Sequence, residues 1–151
     1  VGLDVAELTL LSMQAGSNLN HDIGYLDFGL TGAGESVVIT DEVISLNRRT
    51  LEGIEVSEET LALDTIAQAG HGGDFLGAKH TKRHVRSLQW RPTILNRSTQ
   101  QKWEAEGSLD LTAKAHRKLT DIMTNHTPEP LPAAMKTKID ELVDAFVRAG
   151  A

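Results

Sequence analysis

Residues 17–36, SNLNHDIGYLDFGLTGAGES, gather a histidine, acidic residues and two aromatic side chains among glycines, in a chain that is only 4% aromatic. His21, Tyr25 and Phe28 are the members best suited to binding a small organic ligand. The ring faces of Tyr25 and Phe28 attract a quaternary or protonated amine, each by roughly 0.5–2 kcal/mol. The His21 imidazole can donate a hydrogen bond to an anionic group or orient a neighbour. Asp22 and Asp27 can complement a positive nitrogen, but acidic residues in such a loop also form turns, caps and ion pairs. The competing reading makes His21 a satisfied structural histidine and the two rings packing residues. Gly29, Gly32 and Gly34 follow the spacing G-x-x-G-x-G with no lysine after them, which is not a phosphate loop.

A second histidine pair, His80 and His84, has the four-residue spacing of metal ligands on one helical face. The residues between them lack the glutamate of a zinc protease, and no metal is assigned. Lys79, Lys82, Arg83 and Arg86 surround the pair as a basic cluster, suited to an anionic partner or simply to solvent. His71, His116 and His126 form no recognisable pairing with a serine nucleophile.

These residues must be positioned by elements that the apolar spacing outlines. Leu3 to Met13 predicts a helix stopping near Gly16, then a short strand over residues 17–21. Glu35 to about Leu51 reads as a long helix, against the strand preference of Val37, Val38 and Ile39. Ser57 caps a helix carrying Leu61, Leu63, Ile66 and Ala67, which Gly70 stops. A short basic helix is ended by Pro92. Ser98 and Gln101 have capping-box spacing for a helix carrying Trp103, and another helix runs from Leu109 to about Asn125. After the stiff TPEPLP linker, Met135, Ile139, Leu142, Val143, Phe146 and Val147 mark a final amphipathic helix in need of an apolar partner.

The chain has 151 residues, 40% of them hydrophobic, no cysteine and a formal net charge of −6. The charge argues against general nucleic-acid binding, and the missing cysteines exclude disulfides and thiolate chemistry. With no signal-peptide pattern and no apolar run of about 20 residues, a cytoplasmic protein off the membrane is expected. Six or seven helices beside one or two short strands make the fold mainly α. A lone strand leaves backbone groups unpaired, so the order helix, strand, loop, helix points to a piece of a βα-barrel or doubly wound sheet, and to a chain that self-associates.

The blocks NLNHDIGYLDFGLTGAGESVVITDEVI, LEGIEVSEETLALDTI, GGDFLGAKHTKRHVR and ILNRSTQQKWEAEG, in this order and followed by HTPEPLP, resemble the C-terminal third of the trimethylamine methyltransferase family. The resemblance covers nearly the whole chain. It implies the C-terminal segment of a TIM (β/α)8 barrel over residues 1–126, with a Pro-rich linker and C-terminal helix over 127–151. It also implies transfer of a methyl group from trimethylamine or a betaine to the cobalt of a separate corrinoid protein, so the partners are a methylated amine and that protein. The corrinoid is then carried by the partner and no cofactor is bound by this chain. The opening stretch becomes a late barrel strand with His21 at its end and Tyr25 and Phe28 in the loop after it, as substrate-binding residues at the face where such barrels hold their sites. The pyrrolysine of trimethylamine-specific members falls upstream of Val1. A different class of reading makes the chain a non-catalytic helical interaction module.

Overall fold

A computed structural model describes residues 2–21 and 23–149, so Asp22 lies outside the described residues. The chain is mainly helical. Its order is α1 (Gly2–Gln14), β1 (Tyr25–Leu26), β2 (Thr31–Gly32), α2 (Gly34–Leu51), α3 (Glu58–Leu61), α4 (Leu63–Ala69), α5 (Lys79–His84), α6 (Gln100–Ala105), α7 (Leu111–Asn125) and α8 (Ala133–Arg148). It divides into two compact units, Val1–Thr120 and Asp121–Ala151.

The expected strand at residues 17–21 does not form; the extended backbone lies further on, as the antiparallel hairpin β1–β2 with Tyr25 opposite Gly32 and Leu26 opposite Thr31. Each strand therefore has its partner within the chain, and the strand pairing is local. His21 accordingly stands in a loop rather than at a strand end. The helix expected between Ser57 and Gly70 is broken at Ala62, whose left-handed backbone (φ 51°) ends α3 and opens α4. Ser57 does cap it, in a reciprocal box with Thr60. The cap of α6 is Thr99, whose hydroxyl accepts the Lys102 N–H, while the Ser98 N–H is spent on Asn96 Oδ1 at 3.0 Å. α7 starts two residues later than its apolar spacing suggests, because the Asp110 carboxylate accepts the Ala113 N–H at 2.7 Å and sets the first turn there.

α2 is the strut of the first unit. Its β-branched run tolerates the helix because Val38 is buried with Ile94 and Ala115, against Ile39, Leu111 and Leu119. Gly34 lets α7 come close, since a Cβ there would meet Leu119 Cδ2 at 2.6 Å. The other buried residues of α2 are polar, and two of them, Asn47 and Glu42, tie neighbouring segments by hydrogen bonds. Asn47 Nδ2 donates to Thr9 Oγ1 at 2.8 Å and to the Ala6 carbonyl at 3.1 Å, which fixes α1. Glu42 receives the N–H groups of Thr93, Ile94 and Leu95 at 2.7, 2.9 and 3.2 Å, and the Thr93 hydroxyl at 2.6 Å. A helix that must hold α1 and the irregular segment 93–95 with a small apolar core does so through directional polar contacts.

Gly24 joins the hairpin to this strut. Its φ is +85°, and a Cβ would stand 2.3 Å from Val37 Cγ2, while its carbonyl accepts the Ala33 N–H at 2.9 Å. Gly24→Ala is expected to destabilise the chain by about 2–4 kcal/mol, the sum of left-handed strain and overpacking. Denaturant unfolding checks this, and a change below about 0.5 kcal/mol would mean that the hairpin base moves freely away from α2.

In the second unit, Pro132 precedes α8, and the Met135 and Lys136 N–H groups return to its carbonyl. The apolar side chains Met135, Ile139, Leu142, Val143, Phe146 and Val147 are all exposed.

Candidate functional site

Within the first unit, α1, the loop and hairpin of residues 17–29 and the first turns of α2 enclose a cleft of about 850 Å³. His21, Tyr25 and Phe28 all line it, so the three residues singled out from sequence meet in one concavity. The hairpin tip is built by Asp27, Phe28 and Gly29, with φ of 50°, 54° and 84°, and closed by the Leu30 N–H on the Asp27 carbonyl at 3.0 Å. Left-handed backbone costs roughly 1–2 kcal/mol at each non-glycine residue. The consequence of this strained tip is that Phe28 is wholly exposed, at 104%, and Tyr25 is 53% exposed. Neither ring is buried within this chain.

The walls hold residues that sequence reasoning missed. Asp4, Thr9 and Ser12 come from α1, and Ser36 and Thr40 from α2. The Ser12 hydroxyl bonds Asn20 Oδ1 and pins the loop to α1, while Thr40 Oγ1 donates to the Ser36 carbonyl at 2.8 Å. Helical periodicity marks the α1 face but does not say what it faces, so no local signal could have named these residues. Among the described residues lining the cleft there are two carboxylates, Asp4 and Asp27, and no lysine or arginine. Such a lining favours a cation over an anion.

The other histidines lie elsewhere. His116 on α7 bonds Glu35 in the first turn of α2 at 2.7 Å. This hydrogen bond, with help from the Glu35 backbone N–H, holds the Glu35 carboxyl below its usual range. His80 and His84 on α5 face Glu59 of α3. No helix among the described residues is long and apolar enough to cross a membrane.

Residues 4–149 match the family model described as trimethylamine methyltransferase. The chain is 38% identical over 125 residues to the trimethylamine methyltransferase MttB of Methanosarcina thermophila, covering 83% of this chain and 26% of that protein. It is 37% identical over 141 residues to MttB of Methanosarcina barkeri, covering 93% and 28%. Against the glycine betaine methyltransferase of Desulfitobacterium hafniense, strain Y51, it is 28% identical over 127 residues, covering 84% and 26%. The chain thus spans about a quarter of the length of the curated relatives it matches. A match over almost every residue, in sequence order and around the cleft just described, means that the chain belongs to the trimethylamine methyltransferase family.

Proposed function

We propose that this chain forms the C-terminal part of a TIM-barrel methyltransferase that moves a methyl group from a methylated amine to the cobalt of a separate corrinoid protein. The observation that carries the reading is the cleft in which Tyr25, Phe28, Asp4 and Asp27 meet without a lysine or arginine among its described residues. Aromatic faces and carboxylates are the groups that hold a methylated ammonium. The relatives, trimethylamine methyltransferase and glycine betaine methyltransferase, are named for the same substrate class.

The corrinoid supplies a cobalt nucleophile, which leaves the protein the tasks of binding, orientation and water exclusion. Tyr25 and Phe28 hold the ammonium, and the carboxylates of Asp4 and Asp27 add favourable potential. His21 orients the substrate, and with a betaine it donates to the carboxylate. Tyr25 and Phe28 are too exposed here to enclose a small cation alone, so the remaining wall comes from the rest of the barrel and the approaching corrinoid protein. The exposed apolar face of α8 suits burial in a homo-oligomer, and the protein works in the cytoplasm.

The test is methyl transfer by the full-length protein, with trimethylamine and glycine betaine each supplied beside the corrinoid partner. Transfer from at least one is expected, and inactivity with every methylated amine would overturn the reading. In the same assay His21→Ala should lower kcat/KM by about tenfold or more with little change in Tm, since an exposed loop residue contributes little packing. Matched losses of activity and Tm would make His21 structural.

A further inference from the structure

His80 and His84 lie one turn apart on α5, with ring centroids 4.5 Å from each other. Sequence spacing alone offers these two ligands and no third. The fold supplies Glu59, because the Ser57 box sets the first turn of α3 so that this carboxylate faces α5. One donor atom from each of Glu59, His80 and His84 lies within 4.8 Å of the other two. Both histidines are half-buried, and Glu59 is exposed.

We propose that Glu59, His80 and His84 form a binding site for a divalent transition-metal ion of the zinc type. Two imidazoles and one carboxylate, without cysteine, are donors that zinc, nickel and copper prefer, and they do not make the all-oxygen shell that magnesium needs. The second shell is already in place. His80 Nε2 meets the Glu59 main-chain carbonyl at 2.8 Å. A carbonyl can only accept, so this nitrogen carries the proton and the neutral ring keeps its lone pair on Nδ1; hydrogen bonds of this kind orient metal-bound histidines. A small pocket of about 250 Å³ adjoins the cluster and is lined by Glu59, His80, Arg83 and the further acidic residues Glu58 and Asp64, so carboxylates outnumber the one guanidinium. It leaves room for water on the ion and adds negative potential.

Arg83 Nη1 stands 2.5 Å from Glu59 Oε1, the oxygen that also meets His84 Nε2 at 3.1 Å. Without a metal these contacts simply pin α5 to α3. A bound dication replaces Arg83 as the counter-charge of the carboxylate, so the arginine competes with the metal. That competition separates a metal site from a purely structural ion pair, which has no affinity for zinc.

The experiment is calorimetric titration of the tag-free chain with zinc chloride, and separately with magnesium chloride. Saturable binding of one zinc per chain is expected, with none of magnesium. Loss of even a hydrogen-bond partner of a metal ligand typically costs about 10–100-fold in metal affinity, and these three are the ligands themselves, so His80→Ala, His84→Ala and Glu59→Gln should each weaken zinc by at least about tenfold. His71→Ala and His126→Ala should not, and Arg83→Gln should bind more tightly. Because the cluster also links two short helices, zinc is added in parallel to the unaltered chain while its histidine ring ¹⁵N resonances are followed, and those of His80 and His84 should shift ahead of the other four. No saturable zinc binding, or shifts centred on other histidines, would overturn the site.

Discussion

Glu42→Ala should remove about 3–5 kcal/mol of the stability of this chain, a large share of what a domain of this size possesses. Glu42 is only 3% exposed, yet its carboxylate accepts three backbone N–H groups and one hydroxyl from residues 93–95. Ile94, in the middle of that segment, is one of the buried apolar residues on which the core depends. Removing the carboxylate therefore strands the buried Ile94 N–H, leaves the part-buried donors of Thr93 and Leu95 to water, and loosens the side chain that packs against Val38 and Ala115. The polar and apolar losses are coupled, so Glu42→Ala and Ile94→Ala together should cost clearly less than the sum of the two. Urea unfolding measures this, and a Glu42→Ala chain within about 0.5 kcal/mol of the original would show that water satisfies residues 93–95 equally well.

The same carboxylate gives the stability a pH dependence of defined sign. Burial pushes the Glu42 carboxyl up, but the Thr93 hydroxyl and the N–H groups of Ile94, Leu95 and Thr93 outweigh it and hold the group below its ordinary value. A carboxyl with a depressed folded value contributes its full stabilisation above the unfolded value, and loses it as pH falls through the folded one. Glu42→Gln keeps an acceptor for the backbone N–H groups and does not titrate. The advantage of the native chain over this variant should be constant near neutrality and shrink below roughly pH 4.

What the sequence disclosed, and what it withheld, follows from the range of the forces involved. α1, α2, α7 and α8 were legible because apolar spacing and capping residues act within a few positions, as Ser57 shows. The short strand was misplaced, and the hairpin not foreseen, because its tip needs left-handed backbone at Phe28, a conformation that this residue type does not advertise. A glycine signal exists only at Gly24 and Gly29. Glu42 gave no hint of its role, since it sits in a helix and its partners lie 51–53 residues away. Glu59 likewise reaches His80 across 21 residues. His21, Tyr25 and Phe28 could be named early because scarce residue types in one glycine-rich loop are a local signal. The walls that α1 and α2 add to their cleft could not, because they depend on how helices pack.

The aromatic pair carries the other large effect, this time on binding. In the full-length protein, replacing both Tyr25 and Phe28 with leucine should weaken a methylated ammonium substrate by about 1–3 kcal/mol, tenfold or more in Kd. Leucine keeps much of the apolar area, so what is lost is chiefly the negative ring face. Within this chain Phe28 has no packing to lose, being fully exposed at the hairpin tip, and leucine there faces the same left-handed backbone as phenylalanine. Stability should accordingly change little, which separates this pair from Glu42. A neutral isostere with carbon in place of the charged nitrogen supplies the control. It should bind the native protein more weakly than the ammonium does, and lose little further on substitution, because the cation attraction was never available to it. Calorimetry with both compounds decides the matter: equal losses for the charged and the neutral ligand would mean that the rings act by contact area alone, and the cationic reading of the cleft would fall with them.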